Sequence, residues 1–315
     1  MNKTIMLLVN PFSGKGVTKT KLGEIVKLFC ENGCAVTVYF TQARNTTELA
    51  REHCARFDLL VCVGGDGTLS DVVAGLATME NPPPIGYIPA GTANDVASTL
   101  SLSRDVAVAV KTVLEGELVS LDVGTFENTY FTYIAAFGAF TGVSYGTPQS
   151  TKKALGHLAY VLGGLADMTA IRPRRVRIEY DGGVIEDDFI FGGVTNSTSV
   201  AGLVRLDPRD VNLGDGMFEV ILVKNPVNLI ELRDIIMSIA TRDWTSENVR
   251  ILHTARVCFT FAEPVMWTRD GEDGGAHSAL EIVNRRRAVR VIIPKQEAQP
   301  LQQESQPPQT PQEAQ

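Results

Sequence analysis

The sequence has no stretch of 18 apolar residues, so it contains no candidate membrane-spanning helix. Its first apolar run, Ile5 to Val9, follows a single basic residue and stops at Asn10-Pro11, too early for a secretory signal. Cysteine is sparse: there are five, an odd number, and no pair has CxxC spacing. That argues against a disulfide framework and for reduced thiols, with Cys62 reading as a small buried hydrophobe inside an apolar run. The four histidines, at 53, 157, 253 and 277, are scattered and suggest no zinc site. Positive charge is in deficit, with 29 Lys and Arg against 36 Asp and Glu, a formal net charge of −7. An acidic balance argues against non-specific binding to a nucleic-acid backbone. Together these absences predict a cytoplasmic protein, one that can still associate transiently with a membrane surface.

What is present is a chain of 315 residues, 44% apolar, long enough for two domains of ordinary size. The first third alternates strand and helix patterns. Strands are expected at Ile5–Val9, Ala35–Phe40, Leu59–Val63 and Ile85–Ile88. Helices are expected at Thr20–Phe29, Thr46–Ala55, Leu69–Thr78, Asn94–Leu100 and Ser103–Leu114, with Thr46 or Thr47 as a cap. This rhythm predicts a mostly parallel sheet with helices on both faces. Near Leu121 it changes, and most later segments read as strands, from Tyr130–Ala136 to Ala288–Ile293. Two helices, about Leu155–Thr169 and Leu229–Thr241, interrupt them. The expected organisation is an α/β domain over 1–122, a β-rich antiparallel domain over 123–294, and a disordered Gln/Pro-rich tail over 295–315.

Three loops carry the chemical signal. Gly64-Gly65-Asp66-Gly67-Thr68 follows an apolar strand and opens a helix. In an α/β sheet the crevice beyond the strand C-termini is the usual ligand site. Glycines allow close approach to phosphate oxygens and tolerate positive φ, and the following helix amides can bind anions. An aspartate beside phosphates is unfavourable unless a cation lies between, so Asp66 is a candidate catalytic residue, either as a magnesium ligand, directly or through water, or as a partner for the attacking hydroxyl. The loop after the first strand, Asn10-Pro11-Phe12-Ser13-Gly14-Lys15-Gly16, lacks Walker spacing but offers Ser13 as a hydrogen-bonding group and Lys15 as a positive charge. The loop after the fourth strand, Pro89-Ala90-Gly91-Thr92-Ala93-Asn94-Asp95, offers Asn94 and Asp95 as helix caps or phosphate and metal partners. Parallel strands would line up all three along one edge.

With Leu213-Gly-Asp-Gly-Met-Phe-Glu and Asp270-Gly-Glu added, these segments resemble the catalytic domain family of diacylglycerol kinases and sphingosine kinases, most closely its soluble bacterial-type lipid-kinase branch. The resemblance spans residues 5 to 293. It implies an NAD kinase-like α/β domain joined to a β-rich sandwich domain, with the active site in the cleft between them and the last strand, 288–293, returning to the first domain. It implies ATP and magnesium as cofactors and a lipid alcohol as acceptor, with diacylglycerol the first choice. Nucleotide contacts are carried over onto Asn10, Ser13, Lys15, Thr41, Gly64, Gly65, Gly67, Thr68 and Thr92, with Asn94 and Asp95 shaping the phosphoryl site. Glu272 matches the general base, and Asn212, Asp215 and Met217 (the last by its carbonyl) match a structural magnesium site. Here Asn212 replaces a carboxylate, and Ser70-Asp71 stands where the family commonly has Asn-Glu. Two other readings stay open: an NAD kinase-like enzyme acting on a ribose hydroxyl, and a silent nucleotide- or lipid-sensing protein. A homodimer is compatible with any of them. The segment 155–168 fits either a cover over an acyl-chain groove or a core helix, and Arg172, Arg174, Arg175 and Arg177 fit either anionic headgroups or a solvated strand.

Overall fold

The computed structural model describes residues 3–42, 45–92, 94–138, 172–197, 199–200, 204–206, 211–244 and 246–295 (without side chains at 15–17, 19, 199–200 and 204–205). The expected helix over 155–169 and the tail beyond 295 lie outside them.

The first half is a parallel sheet ordered β4-β3-β1-β2, built from β1 (Thr4–Val9), β2 (Ala35–Phe40), β3 (Leu59–Gly64) and β4 (Ile85–Pro89). Because side chains alternate along a strand, each central strand serves two cores. Ile5, Leu7, Val9, Leu59, Val61 and Val63 pack on one face with Ile25 and Phe29 of α1 (Val17–Glu31) and Val110 and Val113 of α5 (Val106–Glu115). Met6, Leu8, Leu60 and Cys62 pack on the other with Ala50 of α2 (Thr46–His53), Leu69, Val72 and Leu76 of α3 (Asp66–Leu76), and Val96 and Ala97 of α4 (Asp95–Thr99). Cys62 is fully buried and all five thiols are free. The residue capping α2 is Asn45, whose side chain makes no capping bond to that helix; it accepts instead from the Gln42 amide.

The second half is antiparallel. β5 (Glu117–Phe126) is followed by β6 (Thr129–Phe131) and β7 (Ile134–Gly138), then by β8 (Arg174–Tyr180) and β9 (Gly183–Thr195). A two-residue ladder pairs β10 (Ser199–Val200) with β11 (Val204–Arg205). β12 (Phe218–Lys224), α6 (Leu229–Thr241), β13 (Val249–Thr254), β14 (Arg256–Arg269) and β15 (Glu272–Ile293) complete it. Phe137, Phe259, Phe261 and Trp267 form the aromatic centre of its core, with ring centroids 5.0 to 6.5 Å apart. Of the arginine run, Arg175 pairs with Glu186 and Arg177 with Glu179 on exposed strand surface.

Two expectations change here. The strand expected over 130–136 is two strands, broken at Thr132-Tyr133, whose amides turn inward to a buried carboxylate. The last two segments that read as strands, Ala279–Val283 and Ala288–Ile293, are one strand: β15 pairs with β14 up to Val283, then with β5 from Asn284 onward, and Val291 lies beside Ile85 of β4. A register irregularity between Arg285 and Val289, with Arg287 at φ 53°, bends it at the crossing. Thirteen of the described strands therefore join in one continuous sheet.

Candidate active site

The three loops meet at the C-terminal edge of the parallel strands. Asn10 directly follows β1 and spans two of them: its Nδ2 donates to Thr68 Oγ1 at 2.9 Å and its Oδ1 accepts from the Phe12 amide at 2.9 Å. Ser13 opens the 3-10 turn Ser13–Gly16, which contains Lys15, and its amide donates to Asn10 O. Thr41, just beyond β2, is buried and its amide donates to Val9 O.

The glycines of the second loop are not there for positive φ. Gly64, Gly65 and Gly67 are absent from the positive-φ residues. Their smallness matters against other protein atoms. A Cβ at Gly64 would lie 2.6 Å from the Thr68 side chain, and one at Gly91 would lie 2.5 Å from the Gly65 Cα. The second and third loops thus pack glycine on glycine. Asn94, in the left-handed region at φ 55° and 1% exposed, holds that contact. Its Oδ1 accepts from the Gly91 amide and its Nδ2 donates to the Gly91 carbonyl, both at 2.9 Å. The Tyr87 hydroxyl donates to the Gly64 carbonyl from beneath. Thr92 contributes its carbonyl to Arg104.

Asn94 therefore does not cap α4 by its side chain. Asp66 does, across the loops: Oδ2 accepts from the Asp95 amide at 3.1 Å and Oδ1 from the Val96 amide at 3.2 Å. Burial pushes the Asp66 carboxyl up, and these amide bonds pull it back. Burial, with Asp66 beside it, raises Asp95 to about 6. Asp71, one turn further along α3, is raised to about 6 by burial and then by the Glu272 charge, with Arg269 opposing. A cluster of acids whose charges resist one another, at an edge lined by helix N-termini, is suited to a polyanion only with a cation between.

Glu272 comes to this edge from the other half. A Cβ built on Gly67 would lie 3.5 Å from Glu272 Oε1. The carboxylate thus stands over the first turn of α3, directly above the glycine loop. Asp270, two residues earlier, is buried and bonds to Ser70 of the same helix.

Comparison with known proteins places both halves of the chain in described families. The diacylglycerol kinase catalytic domain model matches residues 4–126, and the YegS C-terminal NAD kinase beta sandwich-like domain model matches residues 141–293. A diacylglycerol kinase of Bacillus subtilis (strain 168) is 35% identical over 303 residues, covering 95% of this chain and 99% of that protein. The chain belongs to the diacylglycerol kinase catalytic-domain family. A diacylglycerol kinase of Staphylococcus aureus (strain JH9) is 34% identical over 300 residues, covering 93% of each chain. The fold of this family member is also that of a crystal structure of a diacylglycerol kinase from Bacillus anthracis str. Sterne, with a TM-score of 0.72 at 22% identity over 92% of this chain and 97% of that one. The protein is an ATP-dependent phosphotransferase of the diacylglycerol kinase-like group, in its soluble bacterial-type lipid-kinase branch. No helix among the described residues is long and apolar enough to cross a membrane.

The Asn212–Met217 turn is a separate arrangement. Asp215 Oδ1 accepts from the Met217 amide at 2.9 Å, and Asn212 Oδ1 from the Gly214 amide at 3.2 Å. The Met217 carbonyl accepts from Asn284 Nδ2. What ties this turn to the rest is Asp122, fully buried in β5, which accepts from the amides of Gly216 and Arg287 and from Asn284 Nδ2. No group of three His, Cys, Asp or Glu is arranged to hold a metal among the described residues.

Sequence reasoning missed Asp122 and Asp270. Asp122 sits in an alternating strand, where a polar residue reads as solvent-facing. Asp270 precedes a glycine, which reads as an exposed turn; only its place beside Glu272 hinted at more.

Proposed function

We propose that this protein transfers the γ-phosphoryl group of ATP to the free hydroxyl of diacylglycerol, giving phosphatidic acid. The observation that carries the reading is Glu272 Oε1 at 3.5 Å from a Gly67 Cβ position, a carboxylate from one half set above the glycine loop of the other. The acceptor hydroxyl attacks the γ-phosphorus, Glu272 takes its proton as the new oxygen–phosphorus bond forms, and the bond to the β-phosphate oxygen breaks to release ADP. The amides at the start of α3 face the phosphates, and Asn10, Thr68, Gly91 and Asn94 keep the loops at the spacing those phosphates require.

The donor set fits magnesium. Asp66 and Asp95 supply hard carboxylate oxygens, and Mg²⁺ typically takes one or two carboxylates with waters and substrate phosphates rather than a full protein cage. Asp66 gives one lone pair per oxygen to α4 and keeps others for the ion or its water. Bound there, magnesium would offset phosphate charge. A second, structural cation at Asn212, Asp215 and the Met217 carbonyl also has oxygen donors, but only one charge, so its affinity is low. The substrate is a membrane lipid, so the protein works from the cytoplasm at a bilayer surface.

Glu272→Gln keeps the side chain's size but cannot take the proton. Its kcat with diacylglycerol and ATP should fall roughly 10²–10⁴-fold, while ATP binding by calorimetry stays near that of the parent. A near-normal kcat, with chemistry shown to limit the rate, would remove Glu272 from the role.

A further inference from the structure

Asp270 and Gly271 form the two-residue turn between β14 and β15, with φ of 47° and 86° and Arg269 paired with Glu272 across it. Such a turn demands positive φ at both positions, and Asp-Gly or Asn-Gly supplies it. The turn geometry needs nothing more from the aspartate, and a hairpin tip is normally in water. Here the Asp270 side chain is buried, and its carboxylate accepts four hydrogen bonds. Oδ1 takes the amides of Tyr133 and Ile134, both at 3.0 Å. Oδ2 takes the Thr132 amide at 2.7 Å and the Ser70 hydroxyl at 2.5 Å. The Asp270 amide also donates to the Ile134 carbonyl at 2.8 Å. Two donors lie in the break between β6 and β7 and a third, Ile134, opens β7; the fourth belongs to the nucleotide half, 200 residues away in sequence.

The spacing on both sides matches. Ser70 and Gly67 are three apart, one turn along the same face of α3. Asp270 and Glu272 are two apart across the tip of the hairpin. Asp270 meets Ser70, and Glu272 meets the Gly67 position. One contact sets the register of the other. We propose that Asp270, through Ser70, is the positioning residue for Glu272, fixing the hairpin tip on α3 so that the carboxylate stands over the phosphate loop. This inference rests on the reading of Glu272 as the base.

Ser70→Ala tests it with the least damage, because the three amides still hold Asp270. A misplacement of about 1 Å at a reacting group can cost about 10²-fold in rate. S70A should therefore lower kcat with diacylglycerol by roughly tenfold or more, with the KM for ATP and the melting temperature little changed. A merely structural contact would not separate kcat from KM in this way. In an E272Q background the same substitution should cost less than about twofold, because residues that act through one another are non-additive. Asp270→Asn, which keeps the shape and loses the charge, should show the same dependence on Glu272. An equal loss from S70A in both backgrounds, or an unchanged kcat in S70A alone, overturns the positioning role. A wild-type kcat in E272Q overturns the base reading itself, and is visible before any Ser70 variant is made.

Discussion

Glu219 shows how the environment of one residue reverses an ordinary expectation. It sits in β12 next to the Gly-Asp-Gly turn, 4% exposed, with Oε2 lacking a hydrogen-bond partner among the described residues. His253 Nδ1 is 3.8 Å from Oε1. Burial first, then the charges of Asp215 and Asp122, push its carboxyl to about 8 from an ordinary 4.5. A carboxyl raised by folding binds its proton more tightly in the folded state. Its contribution to stability is intact below about pH 4.5 and is lost as pH climbs through about 8, by an amount on the order of a few kcal/mol. Glu219→Gln mimics the protonated form and cannot lose that contribution. E219Q should match the parent near pH 5 and melt at a higher temperature by pH 8.5. Parallel melting-temperature profiles for the two proteins would show that Glu219 does not titrate in this window.

At the level of elements, the glycine loops make a sharper prediction than phosphate contact alone would. Gly91→Ala would set a Cβ 2.5 Å from backbone at Gly65 and 2.7 Å from Asn94 Oδ1, so two loops must part. Overpacking of this kind costs about 1–3 kcal/mol. Gly67→Ala meets only Glu272 Oε1 at 3.5 Å, an ordinary contact. Chemical denaturation should therefore rank G91A well below G67A in stability, and ATP titration should find G91A weakened. Equal stabilities would mean that the loops do not bear on each other. The regular elements of the first half were readable because period-2 and period-3.6 patterns alternate cleanly there, and α6 was readable for the same reason. The break at Thr132-Tyr133 was not, because Tyr130 to Ala136 keeps a strand-like composition throughout; what interrupts it is Asp270, far away in the chain. β5 and β13 were missed; β15 was read as two pieces because charged residues at Arg285, Arg286 and Arg287 cover the bend and look like a loop. The loops were legible as a site because their glycines and acids cluster in sequence. Their mutual bonds, Asp66 to α4 and Asn94 to Gly91, were not, since each joins separate segments whose spacing only the folded sheet sets.

On the scale of the whole molecule, the two halves are named by separate family models, yet they share backbone. β15 pairs with β14 in the second half, then with β5, and Val291 lies beside β4 in the first. Three buried polar groups fasten the same junction. Asp270 joins Ser70 to the turn before β7; Asn196 donates to the carbonyls of Asp122 and Leu213; Asp122 holds the 212–217 turn against the bend in β15. A chain whose halves were joined only by a linker could melt in two steps. Here, opening either half strands hydrogen-bonding groups of the other, and unsatisfied buried groups cost about 1–3 kcal/mol each. Unfolding should accordingly be one cooperative transition, with calorimetric and van't Hoff enthalpies equal. Asp122→Ala leaves the backbone amides of Gly216 and Arg287 without their acceptor in a partly buried setting, and leaves Asn284 Nδ2 with the Met217 carbonyl alone. It should lower stability by roughly 3 kcal/mol or more, and it should do so for both halves together, as one transition at a lower temperature. Differential scanning calorimetry of the parent and D122A tests this directly. Two resolved transitions in the parent, or loss of only one half in D122A, would show that the shared strand does not couple the halves.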